Sequence, residues 1–163
     1  MSDLLSLRPS IDSDRQCLID WLMQPEVLHW FPLYDLREVE DAARIWFSYA
    51  KVGGVLTAVW DGVPCGSANL YLQPYKKLAH QCLFAIIVDE AHRGKGIGTR
   101  LLQALMDLAK LKFKIVTLHL EVYEGNPAIH LYQRLGFKEY GAQPHFIKDE
   151  GHYLTKIMMQ KTL

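Results

Sequence analysis

Apolar and polar side chains alternate from Leu4 to Arg8, as in a half-buried strand, and Pro9-Ser10 leads from it into a helical stretch. Cys17, Leu18, Trp21 and Leu22 share one face of a helix over about 12–23, and Pro25 is expected to end it. A second helix over about 36–51 aligns Val39, Ala42, Ala43, Trp46 and Ala50, and Gly53-Gly54 terminates it. The period then changes to two. Val55 to Trp60, Cys65 to Leu72 and His80 to Val88 read as strands, with Asp61-Gly62 closing an antiparallel hairpin and Pro74 interrupting the meander. Beyond a glycine-rich loop, Ile97, Leu101, Leu102, Leu105, Leu108 and Ala109 keep helical spacing. Val116 to Tyr123 is a strand, Pro127 to Leu135 a short helix stopped by Gly136, and Phe137 to Tyr140 and His152 to Gln160 are two closing strands. The pattern predicts an α/β chain of the α+β kind, a mixed sheet flanked by helices.

Composition narrows the class. In 163 residues, 50% hydrophobic, 18 basic side chains balance 18 acidic ones, so no global positive field attracts nucleic acid or an anionic membrane. With no repeat or low-complexity linker, one domain over 1–163 is expected. Cys17, Cys65 and Cys82 are widely spaced and read as buried thiols, with no metal-binding pattern. Met1 to Ser10 lacks a basic stretch followed by an apolar one, which gives a cytoplasmic expectation.

The segment from Ile86 to Thr99 carries the chemistry. A strand runs into glycines at 94, 96 and 98, and a helix starts among them. Such a loop points successive N–H groups at one place beside the positive end of a helix, an arrangement suited to a pyrophosphate. Arg93 and Lys95, with His92, add local positive charge to a neutral chain. The spacing is neither that of a P-loop nor G-x-G-x-x-G.

Arg93-x-x-Gly96-x-Gly98 resembles the first motif of the GNAT N-acetyltransferases. Leu120-Glu121-Val122, Asn126, Ala128-Ile129-His130-Leu131-Tyr132 and Leu135-Gly136-Phe137 resemble the second, in the family's order. The resemblance runs from about Leu4 to the last strand and is sharpest from about 82 to 140. It implies a mostly antiparallel mixed sheet of about seven strands with about four helices and a splayed parallel pair. It also implies acetyl-CoA as cosubstrate, no metal, and direct transfer to a primary amine: a small molecule, a polyamine or a protein N-terminus. The pyrophosphate would lie on the N–H groups of Gly94, Lys95, Gly96, Ile97, Gly98 and Thr99, with Arg93 nearby. The pantetheine arm would pair with Ile86, Ile87 and Val88 like an added strand. Tyr132 stands where relatives place the acid that protonates the departing thiolate.

The proton acceptor has several candidates. Glu121 occupies the position of a glutamate in the ribosomal-protein N-terminal acetyltransferases; His119 shares its strand face, His80 is in reserve, and ordered water is a further option. Leu83 stands where many relatives carry a glutamate. Asn126 precedes Tyr132 by six residues rather than seven, so its side chain either reaches the pantetheine or only caps the short helix before Pro127. Trp30, Phe31, Tyr34, Tyr71 and Tyr75 are candidate acceptor walls, closed by a last-strand turn around His145 to His152. Asp35, Glu38, Glu40 and Asp41 read as a solvated helix face. Two other readings remain: a non-catalytic acyl-CoA-binding sensor or interaction domain, and a dinucleotide-binding domain that the glycine spacing disfavours. Homodimers are common among similar proteins, and the resemblance allows one here.

Overall fold

The computed structural model describes residues 3–163; residues 1 and 2 of the expected 1–163 domain lie outside the described residues. In chain order the strands are β1 (Leu5–Pro9), β2 (Val55–Trp60), β3 (Val63–Tyr71), β4 (Gln81–Val88), β5 (Thr117–Tyr123), β6 (Lys138–Asp149) and β7 (His152–Thr162). The helices are α1 (Asp14–Leu22), α2 (Pro25–Leu28), α3 (Leu36–Ser48), α4 (Ile97–Leu111) and α5 (Ala128–Arg134). The strands form one seven-stranded sheet in the order β1-β2-β3-β4-β5-β7-β6. Every neighbouring pair is antiparallel except β4 and β5, which the α4 crossover makes parallel.

Side-chain alternation sorts the sheet into two faces. Cys82 and Phe84 of β4 and Leu118, Leu120 and Val122 of β5 join the α4 residues Ile97, Leu101, Leu102 and Leu105 in one core. Ile87 of β4 faces the other way, into a second core with Leu18, Trp21 and Leu22 of α1 and Val39, Ala43 and Trp46 of α3. Both faces of β4 are therefore covered, as its nearly continuous apolar sequence requires. Burial pushes the Cys65 thiol up to about 11 and the Cys82 thiol up to about 12, in keeping with inert core cysteines.

Three expectations need correction. Pro25 does not simply end a helix: it occupies the first turn of α2, after an extended Gln24, because a missing N–H costs nothing there. The second long helix stops at Ser48, and a single 3₁₀ turn, Tyr49–Val52, carries the chain to Gly53 at φ 78°. The strand expected at 137–140 instead extends from Lys138 to Asp149, passing Pro144 through register shifts at Glu139/Gly141 and Gln143/Ile147. His145, at φ 58°, sits in the second shift, and the actual turn is Glu150-Gly151. A proline within a strand is tolerated here because β6 is the sheet edge.

Candidate active site

The parallel pair β4/β5 is joined only at its start, where Gln81, Cys82 and Leu83 face Thr117, Leu118 and His119. Beyond Leu83 the two strands diverge, while Phe84 to Val88 stay paired to β3 on their other side. One edge of β4 is thereby left without a strand partner. A cavity of about 700 Å³ occupies the opening, lined by Phe84 to Val88 of β4 and Leu120 to Tyr123 of β5. Ile86, Ile87 and Val88 are thus brought to it together.

The glycine loop meets the cavity at the end of β4. Arg93, Gly94 and Gly98 line it. Gly94 and Gly96 adopt φ of 77° and 75°, a region that side-chain-bearing residues enter at a cost, and no protein atom lies within 4 Å of a Cβ added at either. Gly96 is the residue before α4, and no side chain caps that helix. Arg100 is the first residue whose N–H finds an intrahelical carbonyl, that of Gly96 at 3.2 Å. The N–H groups of Ile97, Gly98 and Thr99 therefore keep their donor capacity at the positive end of a helix spanning Ile97–Leu111. Ile97 contributes only its backbone, since its side chain is buried in the core. Lys95 turns away from the cavity, its ammonium 5.1 Å from the centre of the Trp60 ring, and His92 is held by Asp89 at 3.2 Å. Of the expected cationic cluster, Arg93 alone lines the cavity.

Tyr132 projects from α5 into the same opening, edge-on to Phe84 at 6.1 Å and Phe137 at 6.3 Å. Burial pushes its hydroxyl well above the ordinary phenol range, so it stays protonated. Glu121 lines the cavity from β5 and pairs with Lys156 of β7 at 2.9 Å. The Lys156 ammonium also lies 4.0 Å from the centre of the Phe146 ring, another cavity wall. His119 points elsewhere, hydrogen-bonded to the Gln81 side chain at 2.6 Å, and burial lowers its affinity for a proton despite the opposing pull of Glu121. His80 is exposed and does not line the cavity.

Trp30, Phe31 and Tyr71 are cavity walls, whereas Tyr34 and Tyr75 are 77% and 71% exposed and lie outside it. The acidic run is a helix start: Asp35 accepts the Glu38 N–H at 3.0 Å, and Glu38 accepts that of Tyr34 at 3.1 Å. Asn126 bonds to the start of the short helix, its Oδ1 accepting the Ala128 N–H at 2.9 Å, and also faces the opening.

The family model described as Acetyltransferase (GNAT) family matches residues 16–137. The chain belongs to the GNAT acetyltransferase family. It is 37% identical to an N-alpha-acetyltransferase of Sulfurisphaera tokodaii, over 88% of this chain and 85% of that one. A spermine/spermidine N(1)-acetyltransferase of Bacillus subtilis is 40% identical over 82% of this chain and 88% of its own. A structure from Salmonella typhimurium determined with its cofactor acetyl-CoA shares the fold at TM-score 0.82 and 23% identity, covering 98% of this chain and 94% of that one. The enzyme is accordingly a GNAT N-acetyltransferase.

Of the segment expected to close the acceptor side, around His145 to His152, Phe146 reaches the cavity, because β6 continues beyond its second register shift. Against the GNAT pattern, sequence reading missed two contributors. Asp89 accepts hydrogen bonds from Gln24 at 3.0 Å and from the Ala91 N–H at 3.4 Å besides holding His92, tying the glycine loop to the start of α2. Asn69 of β3 is fully buried and accepts the Ala85 N–H of β4 at 3.1 Å. Single polar residues on apolar strands were the available signal for Asn69; nothing in the spacing pairs residues 24 and 89.

Proposed function

We propose that the chain works as one acetyltransferase domain, taking the acetyl group of acetyl-CoA to a primary amine that enters the β4/β5 opening, with both substrates bound together. The observation that carries this reading is the divergence of β4 and β5 beyond Leu83 and His119, with uncapped helix N–H groups on one side and the Tyr132 hydroxyl on another. The residues fit the cosubstrate. The free edge of Ile86 to Val88 suits the amides of a pantetheine arm, and Arg93 with the N–H groups of Gly94 to Thr99 suits a pyrophosphate. Asn126 is placed to meet the arm as well.

Acetyl-CoA supplies an activated thioester. The amine nitrogen forms the new N–C bond as the C–S bond breaks, so one proton must leave nitrogen and the departing thiolate must be stabilised. Tyr132, protonated and with no hydrogen-bond partner among the described residues, donates to the sulfur. Among the described residues Glu121 presents the only carboxylate lining the cavity, and it accepts the proton from nitrogen. Thiol release that depends on an added amine tests the reading. Tyr132→Phe should lower kcat about tenfold or more with little change in the KM for acetyl-CoA; an unaltered kcat removes the acid role. The sensor alternative is favoured by Leu83 in place of a carboxylate, and it requires binding of CoA without turnover of any amine.

A further inference from the structure

The cavity has an unusual charge balance for a site that must admit a cation. Among the residues lining it, Arg93 and Glu121 alone are charged. If Arg93 serves the pyrophosphate, as the transfer reading on which this inference rests requires, Glu121 is the one charged group left for the acceptor. Its charge is already shared with Lys156 at 2.9 Å, so it offers an incoming ammonium a hydrogen-bond acceptor but little net countercharge, and every further ammonium would go uncompensated. The walls around it are apolar. Trp30 and Phe31 stand on the side of α2, and Tyr123 and Phe146 pack at 6.2 Å on the side of β5 and β6. Trp30 also reaches the β5–α5 turn, its ring 3.8 Å from where a Cβ on Gly125 would lie. Glu26, the carboxylate of α2, lines a separate shallow depression that shares only Trp30 with the cavity.

A polyamine would place further ammonium groups against these apolar walls, where no second carboxylate among the described residues lines the cavity to meet them. A free amino acid would need a cation for its carboxylate. Lys156 is committed to Glu121 and to the Phe146 ring, and it does not line the cavity. We infer that the acceptor is a primary amine carrying one positive charge on an apolar body, received by Glu121 between the Trp30/Phe31 and Tyr123/Phe146 walls. This chemistry is offered by an arylalkylamine and by the N-terminus of a peptide with apolar first residues.

Initial rates of amine-dependent CoA thiol release distinguish the cases, with phenethylamine, an Ala-Phe-Ala-Gly peptide amide, spermidine and free phenylalanine as acceptors. The expected result is kcat/KM for phenethylamine or the peptide at least about tenfold above that for spermidine and phenylalanine. The better of the first two identifies the source. Spermidine or phenylalanine equalling both overturns the inference and leaves acetyl transfer standing; no release with any of the four removes the transfer reading and the inference with it. Phe146→Ala provides an independent arm: the KM for the preferred amine should rise about tenfold while that for acetyl-CoA stays within about twofold. An unchanged amine KM in that variant overturns the inferred wall.

Discussion

At the scale of single residues, backbone conformation and proton affinity set the sharpest expectations. Gly96 is held at φ 75° with open space around it, so a methyl group there meets no neighbour and the penalty is conformational alone. Gly96→Ala should cost about 1–2 kcal/mol in chemical denaturation and weaken acetyl-CoA binding, because relaxing the strain re-aims the N–H groups that follow. At Gly98, by contrast, an added Cβ would meet Leu131 at 3.4 Å and Val88 at 3.8 Å, ordinary contacts that leave room for a methyl group. His119 gives a pH dependence. Burial lowers its pKa below the ordinary 6.5, so the unfolded chain binds this proton more readily than the folded one. Its contribution is complete above that value and declines as pH falls from there through the folded pKa. Melting temperatures measured across that interval should fall toward acid less steeply in His119→Gln than in the parent. The glycines and Tyr132 were legible because their motifs state residue type and spacing. The silence of Lys95 and Tyr34 at the cavity was not, since side-chain direction on a loop depends on what packs beside it.

At the scale of elements, the glycine loop owes its position to a brace between distant segments. Asp89 joins Gln24, at the start of α2, to His92 and Ala91 of the loop. Burial would raise the Asp89 pKa, but the hydrogen bonds from Gln24, His92 and Ala91 outweigh it and lower the net value, so the charged form is the one the structure favours. Asp89→Ala leaves the Gln24 amide, whose Oε1 is already buried without a partner, with no partner on its nitrogen either. The cost should be about 1–3 kcal/mol, and the Kd for acetyl-CoA measured by titration should rise while the Tyr132-dependent step is less affected. A rigid loop unaffected by Asp89 would leave that Kd unmoved. Helices and strands with strong periodicity, α3, α4 and β2 to β5, were readable in the chain. α2 and the far half of β6 were not. A proline at a helix start and a proline in an edge strand are both permitted by missing backbone partners, and neither permission is visible without knowing which edge is free.

At the scale of the whole molecule, the opening between β4 and β5 is a consequence of topology. The α4 crossover makes β4 and β5 parallel, and their pairing lasts only three residues on each strand. A ligand that completes the free edge of β4 binds the folded chain and not the unfolded one. Acetyl-CoA at about 100 times its Kd should therefore stabilise the protein by about 2.7 kcal/mol. For a chain of this size that is roughly 5–10 °C in Tm by differential scanning fluorimetry. Amide exchange should slow from Phe84 to Val88 more than in β2, whose two edges are already paired with β1 and β3. By itself, the sequence determined the family, the mixed sheet and the strand-to-helix glycine loop, and it marked Tyr132 as a candidate, because periodicity and motif spacing are local properties that the chain carries in any state. Tertiary structure alone decided how far β4 and β5 separate, which candidate walls face the gap, and that Glu121 arrives already paired with Lys156. Those are relations between residues far apart in the chain, set by the register of β5 against β7 and by packing on both faces of the sheet.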